Sequence, residues 1–341
     1  MSADDQRPTQ PQLSIVISTL GNYPTLARVL DGYSAQTAPK GSFEVVVVVD
    51  AADPQPTAVE RAIGTRGFPV RRITGSVPGL SANRNAGWRA AAAPLVMFTD
   101  NDTIPVPPLV SAHLEWHRRY PGEETGVLGR VRWARELEVS TFMRWLDMGT
   151  QFDFANIRGV DAGWGRFVGA NVSLKRSLIA RVGDFDQEHF PYGYEDTDWA
   201  YRASKVGFRL VYNRAAIVDH LRPMTLEFWK NRARRVAAAE YAFSRLHPEL
   251  PPWFHGIFSA AATMPLARGR GISLAPYVPR SVPWLGRRVW ASVDIAYKQA
   301  LAPHFLEAWD AAAVGAEGSS QPDLSEFDFE RSLGSRPGGP K

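Results

Sequence analysis

The chain has 341 residues, is 45% hydrophobic and 22% charged, and carries a formal net charge of +4 with no cysteine. This composition supports a sizeable core in one large domain, or one domain with a smaller appendage, and it excludes disulfides and thiolate metal sites. The mild basic excess suits anionic ligands such as nucleotides or lipid headgroups, and is too small to argue for nucleic acid.

The polar start MSADDQRPTQPQ (1–12) predicts a flexible N-terminus with no signal peptide. LSIVIST (13–19) reads as a strand, TLARVLDGYSAQT (25–37) as a helix, and FEVVVVVD (43–50) as a strand buried on both faces. TAVERAIGTR (57–66) reads as a helix and PVRRIT (69–74) as a strand. GLSANRNAGWRAAAA (79–93) reads as a glycine-led loop and helix, and PLVMFTD (94–100) as the next strand. This alternation predicts an α/β fold with a doubly wound, mostly parallel sheet and flanking helices.

Further on, PPLVSAHLEWHRRY (107–120) predicts an amphipathic helix and GVLGRVRW (126–133) a strand. Residues 150–166, rich in Gly, Asn and aromatics, read as a mobile loop. FVGANVSLKRSLIARVG (167–183) reads as strand, turn and helix, and YEDTDWAYRASKVG (194–207) as a helix. FRLVYN (208–213) and AIVDH (216–220) read as two short strands, and 226–247 as a long basic amphipathic helix. The tail from about 315 is Gly-, Ser- and Pro-rich and is expected to be disordered. No apolar run is long enough to span a bilayer, so a cytoplasmic protein is expected.

In open α/β sheets, ligands bind beyond the carboxyl ends of the strands. Thr19, Asp50 and the pair Asp100 and Asp102 all fall at such ends. Each acid has an architectural alternative, a cap or an Asx turn. Paired carboxylates on one turn suit Mg2+ or Mn2+, which take oxygen ligands and bridge to phosphates. A second cluster holds Glu195, Asp196 and Asp198 beside Tyr192, Tyr194 and Trp199. Aromatics offer sugars an apolar face, and a carboxylate can take a hydroxyl proton.

These pieces follow one order: the Val-rich strand ending in Asp50, SANRNAG (81–87), TDND (99–102), GANVSLKR (169–176), GYEDTDWAYR (193–202) and VDH (218–220). The ordered set resembles the family 2 glycosyltransferases of GT-A fold, from about Leu13 to about Arg235. The resemblance implies a catalytic domain over 13–225, and the sequence pattern beyond it gives a helical C-terminal extension over 226–312 and a tail over 313–341 expected to be disordered. It implies that Asp50 accepts from the nucleotide base and that Thr19 lies by the base and ribose. Arg84 and Asn85 would hold the nucleotide and its loop, Asp100 would face the ribose or donor sugar, and Asn171 would join the donor site. Asp102 and His220 would bind a divalent metal, Mn2+ or Mg2+, and Asp196 would be the general base of an inverting displacement. Glu195, Trp164 and Trp199 are expected on the acceptor side. The DAADPQPT after β-type residues 43–49 departs from the family's usual acid and Gly-Ser turn, with Asp53 a candidate for part of that role.

The implied donor is a nucleotide-diphosphate sugar, with UDP favoured and GDP or dTDP open. The acceptor is a hydroxyl on a small molecule, lipid-linked intermediate, peptide or short glycan. Two other classes fit less well: a nucleotidyltransferase, whose Gly-rich basic loop STLGNYPTL lacks, and a non-catalytic module, which would have lost Asp102, Asp196 or His220. For the C-terminal third, FWKNRARRV and VPWLGRRVWASV leave two readings open. One is peripheral contact with an anionic membrane. The other is a packed helical extension with exposed arginines.

Overall fold

The computed structural model describes residues 10–267 and 269–315. The expected flexible start and tail therefore lie mostly outside the described residues. These divide into two compact units, one of residues up to 137 with 156–222, the other of residues 138–155 with those from 223 on. The boundary thus differs from the sequence expectation: 138–155 leaves the catalytic stretch for the C-terminal unit.

The first unit opens with β1 (Leu13–Thr19), α1 (Tyr23–Ser34), β2 (Phe43–Val49), α2 (Val59–Ile63), β3 (Val70–Thr74), α3 (Leu80–Ala90) and β4 (Leu95–Asp100). β1 pairs in parallel with β2 and β4, and β2 with β3. Every residue of β2 is buried, as its unbroken valine run requires of a strand covered on both faces. α3 crosses β1 closely because residue 87 is glycine: a Cβ there would stand 2.2 Å from Val16 Cγ1.

The chain then makes a short strand β5 (Thr103–Pro105), α4 (Leu109–Arg119) and β6 (Thr125–Trp133). After the excursion into the second unit come β7 (Asn171–Lys175), helices at Arg176–Val182 and Glu195–Ser204, and β8 (Arg209–His220). The sheet order is β3-β2-β1-β4-β7-β6-β8-β5, with β7 antiparallel to both β4 and β6 and β5 antiparallel to β8. The two strands expected at 208–220 form one strand with a break. Its pairing with β6 jumps from Asn213–Gly129 to Ile217–Arg130, so residues 214–216 bulge out.

A buried polar chain ties α4 to the sheet. His113 Nε2 lies 3.0 Å from Asn171 Oδ1, and Ser173 Oγ lies 2.8 Å from both His113 Nδ1 and His117 Nε2. Asn171 Oδ1 can only accept, because the Asn171 amide nitrogen donates to the carbonyls of Arg130 and Ala216. His113 therefore carries its proton on Nε2, Ser173 donates to His113 Nδ1, and His117 Nε2 donates to Ser173. Every donor runs in one direction, and both rings are neutral. Burial pushes His113 down to about 4 and His117 to about 3.

The second unit is helical. Numbered on from α4, it contributes α5 (Thr141–Trp145); the two helices of the first unit become α6 (Arg176–Val182) and α7 (Glu195–Ser204). The remainder are α8 (Leu226–Leu246), α9 (Trp253–Thr263), α10 (Arg270–Leu274) and α11 (Leu285–Ala313). Residues 150–166, read as one mobile loop, instead form short helical turns and a bridge from Asp161 to Val211. The buried Glu240 carboxylate accepts from Phe254 N at 2.8 Å and His255 N at 2.7 Å, capping the start of α9. Phe142, Trp145 and Tyr297 pack ring on ring within 5.0–5.4 Å.

Candidate functional site

Three strand ends meet at the carboxyl edge of the parallel half-sheet. At the end of β2, Asp50 is 2% exposed and its carboxylate is fully engaged. Oδ1 accepts from Ala52 N at 2.9 Å, and Oδ2 from Gly79 N at 3.0 Å, Asn83 Nδ2 at 2.7 Å and the Tyr192 hydroxyl at 3.3 Å. Asp53 accepts from Gly21 N at 2.7 Å and Gln55 N at 2.8 Å, fixing the turn after β1. Thr19 donates to the Gly21 carbonyl and accepts from Asn101 Nδ2, each at 2.9 Å. These acids organise the crevice by gathering N–H groups.

The turn after β4 is tight because the Thr103 hydroxyl donates to the Asp100 carbonyl at 2.9 Å. β5 then pairs antiparallel with β8, setting Thr103 opposite His220. That register brings Asp102 against the end of β8. Leu221 N donates to the Asp102 carbonyl at 2.8 Å. The Asp102 carboxylate lies 3.8 Å from His220 Nε2 and 3.2 Å from Arg222 Nε. Its Oδ1 is buried with no hydrogen-bond partner among the described residues.

Across from this turn, α7 starts at Tyr194, which sits in the left-handed region at φ 64°. Its first turn presents Glu195 and Asp196. A single guanidinium nitrogen, Arg84 Nη1, donates to Glu195 Oε1 at 2.8 Å and Asp196 Oδ1 at 2.6 Å. Gly169 N donates to Asp196 Oδ2 at 2.8 Å. Residue 169 must be glycine for Arg84 to reach this place, since a Cβ there would meet Arg84 Nη2 at 2.1 Å.

The charges do not balance. Asp100, Asp102, Glu195 and Asp196 face two guanidinium groups, Arg84 and Arg222. Burial, with Glu195 and Asp100 adding to it, outweighs the pull of Arg84 and lifts Asp196 to about 7. Burial and the Asp102 charge likewise raise Asp100. A carboxyl near neutrality whose side chain keeps 19% of its exposure can exchange a proton with a ligand.

The cluster brings together Arg84, Asp100, Asp102, Glu195, Asp196 and His220, with Thr19 and Asp50 along the same strand ends. Other expectations are corrected. Asn171 offers nothing to a donor: its side chain is buried and spent on His113, Arg130 and Ala216. Trp199 is fully buried, stacked with Phe185 and bonded to the Gly183 carbonyl, so it packs the core and reaches no acceptor. Glu195, also expected on the acceptor side, is buried beneath Arg84. Asn85 clamps Phe185 through both its N–H and its carbonyl, which holds the loop after α6. Trp164 is half-buried, with its ring 5.3 Å from that of Tyr201. Sequence reasoning gave no role to Gly169 or Asn83, although GANVSLKR and SANRNAG contain them, nor to Arg222, two residues after His220 in VDHLRP.

Among the described residues, no three His, Asp or Glu side chains converge closely enough to hold a metal by themselves. The residues nevertheless fit a divalent cation shared with a phosphate ligand. The orphaned Asp102 Oδ1, the excess of carboxylates and an imidazole nearby are oxygen and nitrogen donors short of positive charge.

A model described as "Glycosyltransferase like family 2" matches residues 11–239. The chain is 27% identical over 236 residues to a validoxylamine A glucosyltransferase of Streptomyces hygroscopicus subsp. jinggangensis, covering 60% of this chain and 54% of that one. It is 24% identical to glycosyltransferase AglE of Haloferax volcanii over 62% of this chain and 67% of that one. The chain spans about half the length of the glucosyltransferases it matches. Among solved structures it resembles a mannosyltransferase from Pyrobaculum calidifontis in complex with GDP-Man and Mn2+, with TM-score 0.58, 21% identity and 90% of each chain covered. It also resembles TarS 1–349 of S. aureus, with TM-score 0.50, 13% identity, and 89% of this chain and 92% of that one covered. The mixed sheet with flanking helices is the GT-A fold.

Proposed function

The chain belongs to glycosyltransferase family 2, and from that premise we propose that it moves a sugar from a nucleotide-diphosphate sugar to an acceptor hydroxyl in one inverting displacement. The observation that carries this reading is Asp196, a carboxyl lifted to about 7, bridged by Arg84 and Gly169 N and still reachable from outside. UDP is the favoured nucleotide, with GDP and dTDP as alternatives. The name of the Streptomyces relative supports hexosyl transfer.

Asp196 removes the acceptor hydroxyl's proton as that oxygen bonds to the anomeric carbon. The carbon–oxygen bond to the diphosphate breaks, and the leaving oxygen takes the electron pair. Arg84 holds Asp196 in place and keeps it from rising further. Asp50 and Asp53 hold the turns that would receive the nucleotide. Asp102 and His220, with Asp100 beside them, would hold Mn2+ or Mg2+. When bound, such an ion supplies Lewis-acid stabilisation of the leaving diphosphate.

The test is thermal stabilisation by a panel of nucleoside diphosphates and their sugars, each with and without Mn2+. Ligands that bind the folded state raise its midpoint by mass action. A metal-dependent rise with one nucleotide fixes the donor class. No rise with any member sinks the reading.

A further inference from the structure

The second unit carries a basic and apolar segment that holds none of the residues assigned above to the transfer reaction. Between Pro251 and Val293 the chain has no Asp or Glu and five arginines. Of the thirteen exposed large hydrophobic residues among those described, seven fall between 264 and 285: Met264, Leu266, Leu274, Tyr277, Val282, Trp284 and Leu285. Leu266 is 88% exposed, Tyr277 83% and Trp284 65%, so most of each side chain is open to solvent. Arg270, Arg280, Arg287 and Arg288 are exposed among them.

The segment is anchored. Gln299 Oε1 accepts from Ala267 N at 2.8 Å, and its Nε2 donates to the carbonyls of Met264 and Pro265 at 3.1 Å. Trp290 Nε1 donates to the Val278 carbonyl at 2.9 Å. Gly271 lies flat on α11, where a Cβ would stand 2.7 Å from Ser292 Oγ. Trp284 begins α11 at φ 61°, a left-handed conformation that costs a bulky residue energy. Packing does not explain its ring, which is out in solvent with the Arg288 guanidinium 5.0 Å from its centroid.

We propose that this anchored segment, Met264 to Arg288, docks the protein on an anionic lipid surface. Arginines among exposed aromatics and aliphatics match the headgroup boundary of a bilayer. There guanidinium groups meet lipid phosphate, Trp and Tyr sit at the interface, and Leu and Val enter the acyl edge. A nucleic acid would also take the arginines and rings, but would leave Leu266, Leu274, Val282 and Leu285 in water. Among the described residues no helix is long and apolar enough to cross a membrane, so the contact is a surface one. The inference is independent of the transfer reading.

The experiment is co-sedimentation of the full chain with vesicles of phosphatidylcholine, and of phosphatidylcholine and phosphatidylglycerol in equal parts. Binding is expected to the mixed vesicles, weakly if at all to the neutral ones, and to fall with salt. Arg280→Glu with Arg287→Glu is expected to weaken partitioning by at least roughly fivefold per charge. Trp284→Gly, which also suits the left-handed backbone, should weaken it while leaving the thermal midpoint and nucleotide response unchanged or improved. Three outcomes each overturn the proposal: no sedimentation with either vesicle, equal binding by wild type and both variants, or occupation of this face by a second copy or a nucleic acid instead, read by sedimentation velocity.

Discussion

The two groups of acids at the strand ends contrast with each other. Asp50 and Asp53 are surrounded by N–H donors from Gly21, Ala52, Gln55, Gly79 and Asn83. Asp100, Asp102, Glu195 and Asp196 share two guanidinium groups and leave two buried oxygens, Asp102 Oδ1 and Glu195 Oε2, without a hydrogen bond among the described residues. Acids of the first kind are architecture: their charge is answered by fixed dipoles. Acids of the second kind are held short of positive charge, the condition under which the proposed function has them take a proton or a cation. Residue type is the same in both; the difference lies in what the fold places around each.

Substitutions can break that contrast. Asp196→Asn should lower transfer by about 10³-fold while nucleotide-induced stabilisation persists; measuring both separates a lost base from a lost site. Asp102→Ala should weaken the Mn2+-dependent part of the thermal shift by roughly 10–100-fold in metal concentration, with the nucleotide-only part retained. In wild type, transfer should rise about tenfold per pH unit up to about 7 and then level. Removing the Arg84 charge with Arg84→Gln should move that limb upward, because Arg84 holds Asp196 down. A limb that stays in place would mean another group titrates.

Gly169→Ala should cost about 1–3 kcal/mol in chemical denaturation, since its Cβ would displace Arg84, and should raise the pH limb as well. Asp50→Asn should give the smallest effect, about 1–3 kcal/mol of stability with no shift of the limb. A shifted limb there would erase the distinction between the two groups.

Much of the parallel half-sheet was legible because its signals are local. The valine run of β2 and the spacing of apolar residues in α1 and α4 need no partner to be read. The order of motifs pointed to Asp50, Asp102 and Asp196. What escaped depends on long-range pairing. Asn171 and Trp199 sit inside recognisable motifs, yet β7 and α7 turn both inward. Gly169 matters only because Arg84, 85 positions earlier, ends up against it. The short strand β5 was invisible, although its register sets Asp102 beside His220.

The one-way hydrogen-bond chain from His117 to Asn171 sets a floor on the acidity the fold withstands. Both imidazoles are neutral in the fold, at about 4 and about 3 against an ordinary 6.5, so the unfolded chain binds more protons in that range. Their stabilisation is complete above 6.5 and drains away as pH falls toward 4. The Asp196 carboxyl, the base in the proposed transfer, is protonated sooner, on descending through about 7. In mildly acidic surroundings the protein would therefore fall silent before it came apart, and a return to neutrality would restart it without refolding.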